Sequence, residues 1–99
     1  MEIARSVNGV PIRLTEERWE HIIEHHDYLQ NYRDEVLNTV ENPQWVLRGQ
    51  RGALIAVRNL QRLCYLCVIY KETGPSDGFI ISAYITHKIN RRMIVWKSN

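Results

Sequence analysis

The order of patterns along the chain predicts an α+β domain, with N-terminal helices packed on an antiparallel sheet of about four to five strands. Two observations carry that expectation. Between Glu16 and Val40 the apolar residues recur at helical spacing, and from Trp45 onward they recur in short strand-forming runs separated by turn residues. Helices first and strands afterwards is not the alternation that builds a parallel sheet. With 99 residues there is room for one modest core, so a single domain is expected over residues 1–99.

The chain opens on Val7-Asn8-Gly9-Val10, where Asn-Gly suits the two positive-φ positions of a type I′ turn. It should join short strands around Ile3–Val7 and Val10–Leu14, with Pro11 suggesting an edge position or a very short pairing. Thr15 then reads as a helix N-cap, and Glu16 and Glu17 suit the positive end of the helix dipole. Leu14 and Trp19 fall at the two positions of a hydrophobic staple. A first helix is expected from about Glu16 to His26, burying Trp19, Ile22 and Ile23. A second, from about Gln30 to Val40, places Tyr32, Val36, Leu37 and Val40 on one stripe before Pro43 ends it.

Five strands should follow: Trp45–Arg48, Ala53–Arg58, Leu63–Tyr70, Phe79–Thr86 and Met93–Trp96. Their short connections imply a meander. In the fourth, Phe79, Ile81, Ala83 and Ile85 alternate with Ile80, Ser82, Tyr84 and Thr86. The first set is expected in the core, leaving three hydroxyls on the opposite side, either as part of a phosphate-handling surface or as a solvated face.

Composition narrows the class. An apolar share of 44% with 24% charged residues excludes disorder. No apolar run approaches the ~18 residues of a membrane span, and Met1–Ser6 lacks the pattern of a signal peptide, so a cytoplasmic location is expected. Charge is uneven: residues 1–43 hold four Lys/Arg against nine Asp/Glu, net −5, whereas residues 44–99 hold nine against two, net +7. Either the basic half attracts phosphates or the two halves neutralise each other by packing together. Cys64 and Cys67 are spaced C-x-x-C, but on a strand residues three apart point to opposite faces, so both read as packed thiols.

Three of the four histidines lie in His21-Ile-Ile-Glu24-His25-His26. His21 and His25, four apart, share one helix face. His26 fits a packed or helix-ending position. The string also matches the H-x-x-E-H pattern of inverted zinc peptidases, but no later helix is expected to supply a third ligand. General acid–base catalysis is the competing use. RNA carries its own nucleophile, the 2′-hydroxyl, so an enzyme need only move two protons and stabilise charge on the phosphate. A positioned acid or base contributes about 10²–10⁴-fold, and a cation stabilises the developing phosphorane. Lys71 is the candidate cation, and Arg48, Arg51, Arg58 and Arg62 are candidate phosphate contacts.

Taken together, Leu14–His25, Glu35–Pro43 and Asp77-Gly-Phe-Ile-Ile-Ser82-Ala-Tyr84 resemble the phage-associated branch of the barnase–EndoU–colicin–RelE (BECR) nuclease superfamily, over roughly Ile12 to Trp96. The resemblance implies a RelE/barnase-like fold with a curved sheet, and metal-independent RNA cleavage without a cofactor. It also implies a toxin or effector role beside an antitoxin or immunity protein. The family's tryptophan–histidine–isoleucine–histidine signature falls on Trp19, His21, Ile22 and His25. Its lysine falls on Lys71, and its hydroxyl–Ala–Tyr triplet on Ser82, Ala83 and Tyr84. His26 stands where proline is usual, and Ser82 where threonine is usual.

The expected function is an endoribonuclease acting by 2′-hydroxyl transesterification. His21 and His25 would serve as base and acid, Lys71 would stabilise charge, and Ser82 and Tyr84 would position the phosphate or contact a base. Arg48, Arg51, Arg58 and Thr86 would bind RNA, with His87 as a second-rank acid. The alternatives are a non-catalytic RNA- or protein-binding module of the same fold, or a zinc hydrolase. An exposed edge near Met93–Trp96 would suit dimer or partner pairing.

Overall fold

A computed structural model describes the whole chain, Met1–Asn99. Seven strands and two α-helices follow in the order β1 (Glu2–Arg5), β2 (Pro11–Leu14), α1 (Glu16–His25), α2 (Arg33–Glu41), β3 (Trp45–Arg48), β4 (Leu54–Gln61), β5 (Cys64–Gly74), β6 (Asp77–Thr86) and β7 (Ile94–Lys97). Short 3₁₀ turns stand at Asp27–Leu29 and Arg91–Met93. The fold is α+β, but all seven strands share one sheet, in the order β1-β2-β6-β5-β4-β3-β7. This corrects the expected count of four to five. The sheet is also mixed: β2 lies parallel to β6 through Ile12–Gly78 and Arg13–Phe79. The hairpin joins the main sheet because Ile12 and Leu14, both fully buried, need a core that two strands cannot provide.

Local chemistry accounts for the elements with two corrections. The first hairpin closes through Gly9 N–H to the Ser6 carbonyl and Ser6 N–H to the Val10 carbonyl, with Gly9 alone at positive φ. That is a type I turn followed by a left-handed glycine, not type I′. Pro11 begins an interior strand, where its missing N–H is tolerated. Helix α1 starts as expected, with the Thr15 hydroxyl accepting from Arg18 N–H at 3.1 Å. The second helix starts later than expected, at Arg33, because Leu29 is drawn fully into the core through the 3₁₀ turn. Arg33 then donates to the carboxylates of Glu2 and Glu16, tying β1, α1 and α2 together.

Both helices cover one face of the sheet. Trp19, Ile22, Val36 and Val40 pack there against Ala56, Leu66, Val68, Tyr70, Ile80 and Ala83. The phenol oxygen of Tyr70 lies in this core without a hydrogen-bond partner, and burial raises its pKa. An unpaired buried hydroxyl costs roughly 1–3 kcal/mol. Tyr70→Phe is therefore expected to leave stability unchanged or raise it by about 1 kcal/mol, as read from chemical denaturation midpoints.

Strand β6 contains the irregularity that the alternation concealed. Ile69 pairs with Ser82 but Tyr70 pairs with Ile80, leaving Ile81 as a bulge. One extra residue inverts the facing of everything before it. Ala83 and Ile85 face the helices as expected, whereas Ile80 replaces Phe79 and Ile81 in the core.

The face turned away from the helices has two halves. Leu47, Val57, Tyr65 and Cys67 form a small second core there, with Tyr84, Ile89 and Ile94 packed against it. From the end of β6 the chain crosses this face through residues 87–93 before β7 pairs with β3. The last strand is thus an edge, but it leaves the expected meander by a crossover. The other half of the face is uncovered.

Candidate nucleic-acid interface

The uncovered half is a cleft of about 900 Å³. Its apolar lining comes from Ile55, Ile69, Phe79, Ile81 and Met93, and its cations from Arg48, Arg51 and Lys71. No acidic side chain lines it. Lys71 is placed by strand alternation: Tyr70 points into the helix-side core, so its neighbour must point outward. Its ammonium donates to the Arg51 carbonyl at 3.1 Å, which fixes it at the cleft lip.

That carbonyl belongs to a strained turn. Ala53 N–H bonds the Gln50 carbonyl, and both central residues have positive φ, Arg51 at 55° and Gly52 at 81°. The pattern is a type I′ turn, normally occupied by Asn-Gly. An arginine in the left-handed region is disfavoured, so its presence at the lip supports a role outside folding.

The sequence-derived candidates divide between places. Arg48, Arg51 and Lys71 gather at the cleft. Ser82 is on the same face, opposite Ile69. Tyr84 is on that face too, but it packs into the second core opposite Cys67. Burial, and then the Cys67 thiol, push the phenol up to about 12, and burial pushes the thiol itself up to about 11. Both cysteines are free thiols, Cys67 buried and Cys64 half-buried. Thr86 exchanges hydrogen bonds with Lys88 at the start of the crossover. Arg58 does not join the group: it donates to the Asn42 carbonyl at the end of α2 and lines a separate cavity. His87 bonds the Leu63 carbonyl at the opposite end of the sheet.

The histidine pair stands apart from Lys71. His21 and His25 are exposed on α1, their ring centroids 4.6 Å apart. No cavity or hydrogen bond joins them to Lys71, Ser82 or Tyr84, so the expected single pocket of two imidazoles and one ammonium is not formed. The reason is architectural: α1 packs on the helix-side core, while Lys71 projects from the other face. The two regions still meet at the edge of β6. Arg18 donates to the carbonyl of Ile81, a cleft residue, at 3.4 Å, and Arg18 and His21 line one small cavity together with Thr15 and the carboxylate-bearing Glu17. His25 Nδ1 lies 3.0 Å from the His21 carbonyl. A carbonyl can only accept, so that nitrogen is the donor, and Nε2 is the other ring nitrogen. No group of three His, Cys, Asp or Glu side chains placed to hold a metal ion gathers at H-x-x-E-H.

Sequence reasoning missed Phe79, Ile81 and Met93 as cleft residues. The adjacent Ile80-Ile81 pair was the available signal, since two neighbouring apolar residues on a strand cannot both enter one core. No helix is long and apolar enough to cross a membrane. Fold and site together define an α+β protein with a cationic, apolar-floored cleft on the helix-free face of its sheet. No protein-family model, curated protein or solved structure matches the chain.

Proposed function

We propose that this protein binds single-stranded RNA across the helix-free face of its sheet. The observation that carries the reading is the cleft lining, which combines three cations, an apolar floor including Phe79, and no carboxylate. Phosphates pair with the cations while an unstacked base packs on the aromatic and aliphatic floor, the usual logic of single-strand recognition by a sheet. Duplexes fit poorly, because a base inside a helix cannot reach that floor.

A second reading, metal-independent cleavage in the manner of RelE/barnase-like nucleases, is favoured by the junction at Ile81. A strand leaving the cleft over the edge of β6 passes Arg18 and reaches His21 and His25. Nε2 of His25 would take the 2′-hydroxyl proton, and His21, once protonated, would give one to the departing 5′-oxygen. Arg18 would stand beside the phosphate, with Lys71 holding the strand upstream. A cytoplasmic RNA target and a neutralising antitoxin or immunity protein would accompany that activity.

One experiment addresses both readings. Labelled oligouridine is incubated with excess EDTA and wild type, Lys71→Ala or His25→Ala. Binding should weaken about tenfold in Lys71→Ala and persist in His25→Ala. Cleavage to 2′,3′-cyclic phosphate ends should fall at least 10²-fold in His25→Ala. Intact RNA bound by wild type removes the cleavage reading alone, and absence of binding removes both.

A further inference from the structure

The connection between β4 and β5 carries two local penalties, one of backbone and one of exposure. Arg62 and Leu63 bridge the paired residues Gln61 and Cys64, and Leu63 sits at φ 56° with 63% of its surface exposed. Gly or Asn suits that backbone, and a polar residue suits that exposure. Leu63 belongs to neither hydrophobic core. His87 Nδ1 nevertheless bonds the Leu63 carbonyl at 2.8 Å, holding the turn in place. Beside it is a cavity of about 240 Å³, lined by Leu63, Tyr65, His87, Lys88, Ile89 and Arg91.

The charged residues that line the cavity, Lys88 and Arg91, are both cations, and Arg62 adjoins Leu63 in the turn. Arg62, Lys88, Arg91 and Arg92 are exposed, and none joins an ion pair. The acids of β5 and β6, Glu72 and Asp77, lie at the far end of those strands. Arg91 is held over the Trp45 ring at 4.8 Å, so part of the patch is preorganised.

We propose that the Leu63 turn and the adjoining cavity form a docking surface for an acidic, leucine-bearing segment of a partner protein. Such a segment supplies what each half of the surface lacks: a recess for Leu63, an apolar side chain for the cavity, and carboxylates for the cations. RNA offers no recess for an aliphatic knob. An anionic membrane would take the knob but leave the cavity beside it unfilled, and a single leucine anchors weakly. This surface is distinct from the RNA cleft, and the inference does not depend on that reading.

The probe is a fluorescein-labelled helical peptide of sixteen residues built from Glu and Leu, with leucines at i and i+4 spacing. Wild type should bind it in the micromolar range. Leu63→Asn should weaken binding at least tenfold while raising Tm by about 3–6 °C, because asparagine tolerates the left-handed turn. Arg62→Ala combined with Lys88→Ala should weaken binding about tenfold and flatten its salt dependence. Oligouridine binding should be unchanged in Leu63→Asn. The proposal is overturned if the peptide does not bind, if Leu63→Asn retains full affinity, or if that substitution lowers Tm, since the leucine would then serve the fold. It is equally overturned if Leu63→Asn abolishes binding to phosphatidylserine vesicles but not to the peptide.

Discussion

Gly78→Val is expected to destabilise this protein severely. A Cβ at Gly78 would stand 2.5 Å from Ile12 Cδ1 and 2.6 Å from the Lys71 carbonyl oxygen. Ile12 could turn aside only by opening the core, and the carbonyl is part of the β5–β6 ladder. Overpacking a core costs about 1–3 kcal/mol, and displacing the ladder adds to that, so a loss of about 3 kcal/mol or more is expected. For a domain of this size the corresponding fall in Tm is roughly 12–24 °C. Gly74→Ala is the control, since nothing lies within 4 Å of a Cβ there, and it should stay within about 0.5 kcal/mol of wild type. A Gly78→Val protein as stable as Gly74→Ala would show that β2 does not press against β6 as described. The site would suffer with the fold, because the displaced backbone carries Lys71.

The second large effect concerns binding without stability. Arg48→Ala, Arg51→Gly and Lys71→Ala combined should lower affinity for oligouridine by about 10²–10³-fold near 0.1 M salt. The slope of log K against log salt should become shallower by about two, from about 0.7 per lost contact on a single strand. Tm should hold or rise slightly, since glycine relieves the left-handed strain at Arg51 and the cleft cations make no ion pairs. Titration at several salt concentrations, with a melting curve on the same sample, measures both. An unchanged salt slope would mean that phosphates do not sit at this lip.

Much of the architecture could be read in advance from short-range chemistry. Thr15 and its following glutamates marked the start of α1, and Trp19 and Ile22 marked its buried stripe. Pro43 lay just beyond α2, and the strand runs from Trp45 to Thr86 pointed to the right pairs. Lys71 was legible as a candidate cation because it ends the most apolar strand run, but its place in this cleft was not. The histidine pair was legible as a pair, since i and i+4 on a helix must meet.

What the residues alone determined was therefore local: the start of α1, the positions of turns and strand runs, and the segregation of charge between halves. Only the tertiary structure decided which surfaces those pieces share. The bulge at Ile81 moved Phe79 out of the core, because register depends on the partner strand and is invisible to a period of two. The second core took in part of Tyr84, and the stacking of α1 on one face separated the imidazoles from the Lys71 ammonium. Spacing sets what neighbours along an element can do together, whereas convergence between elements depends on long-range packing that no short window of sequence contains.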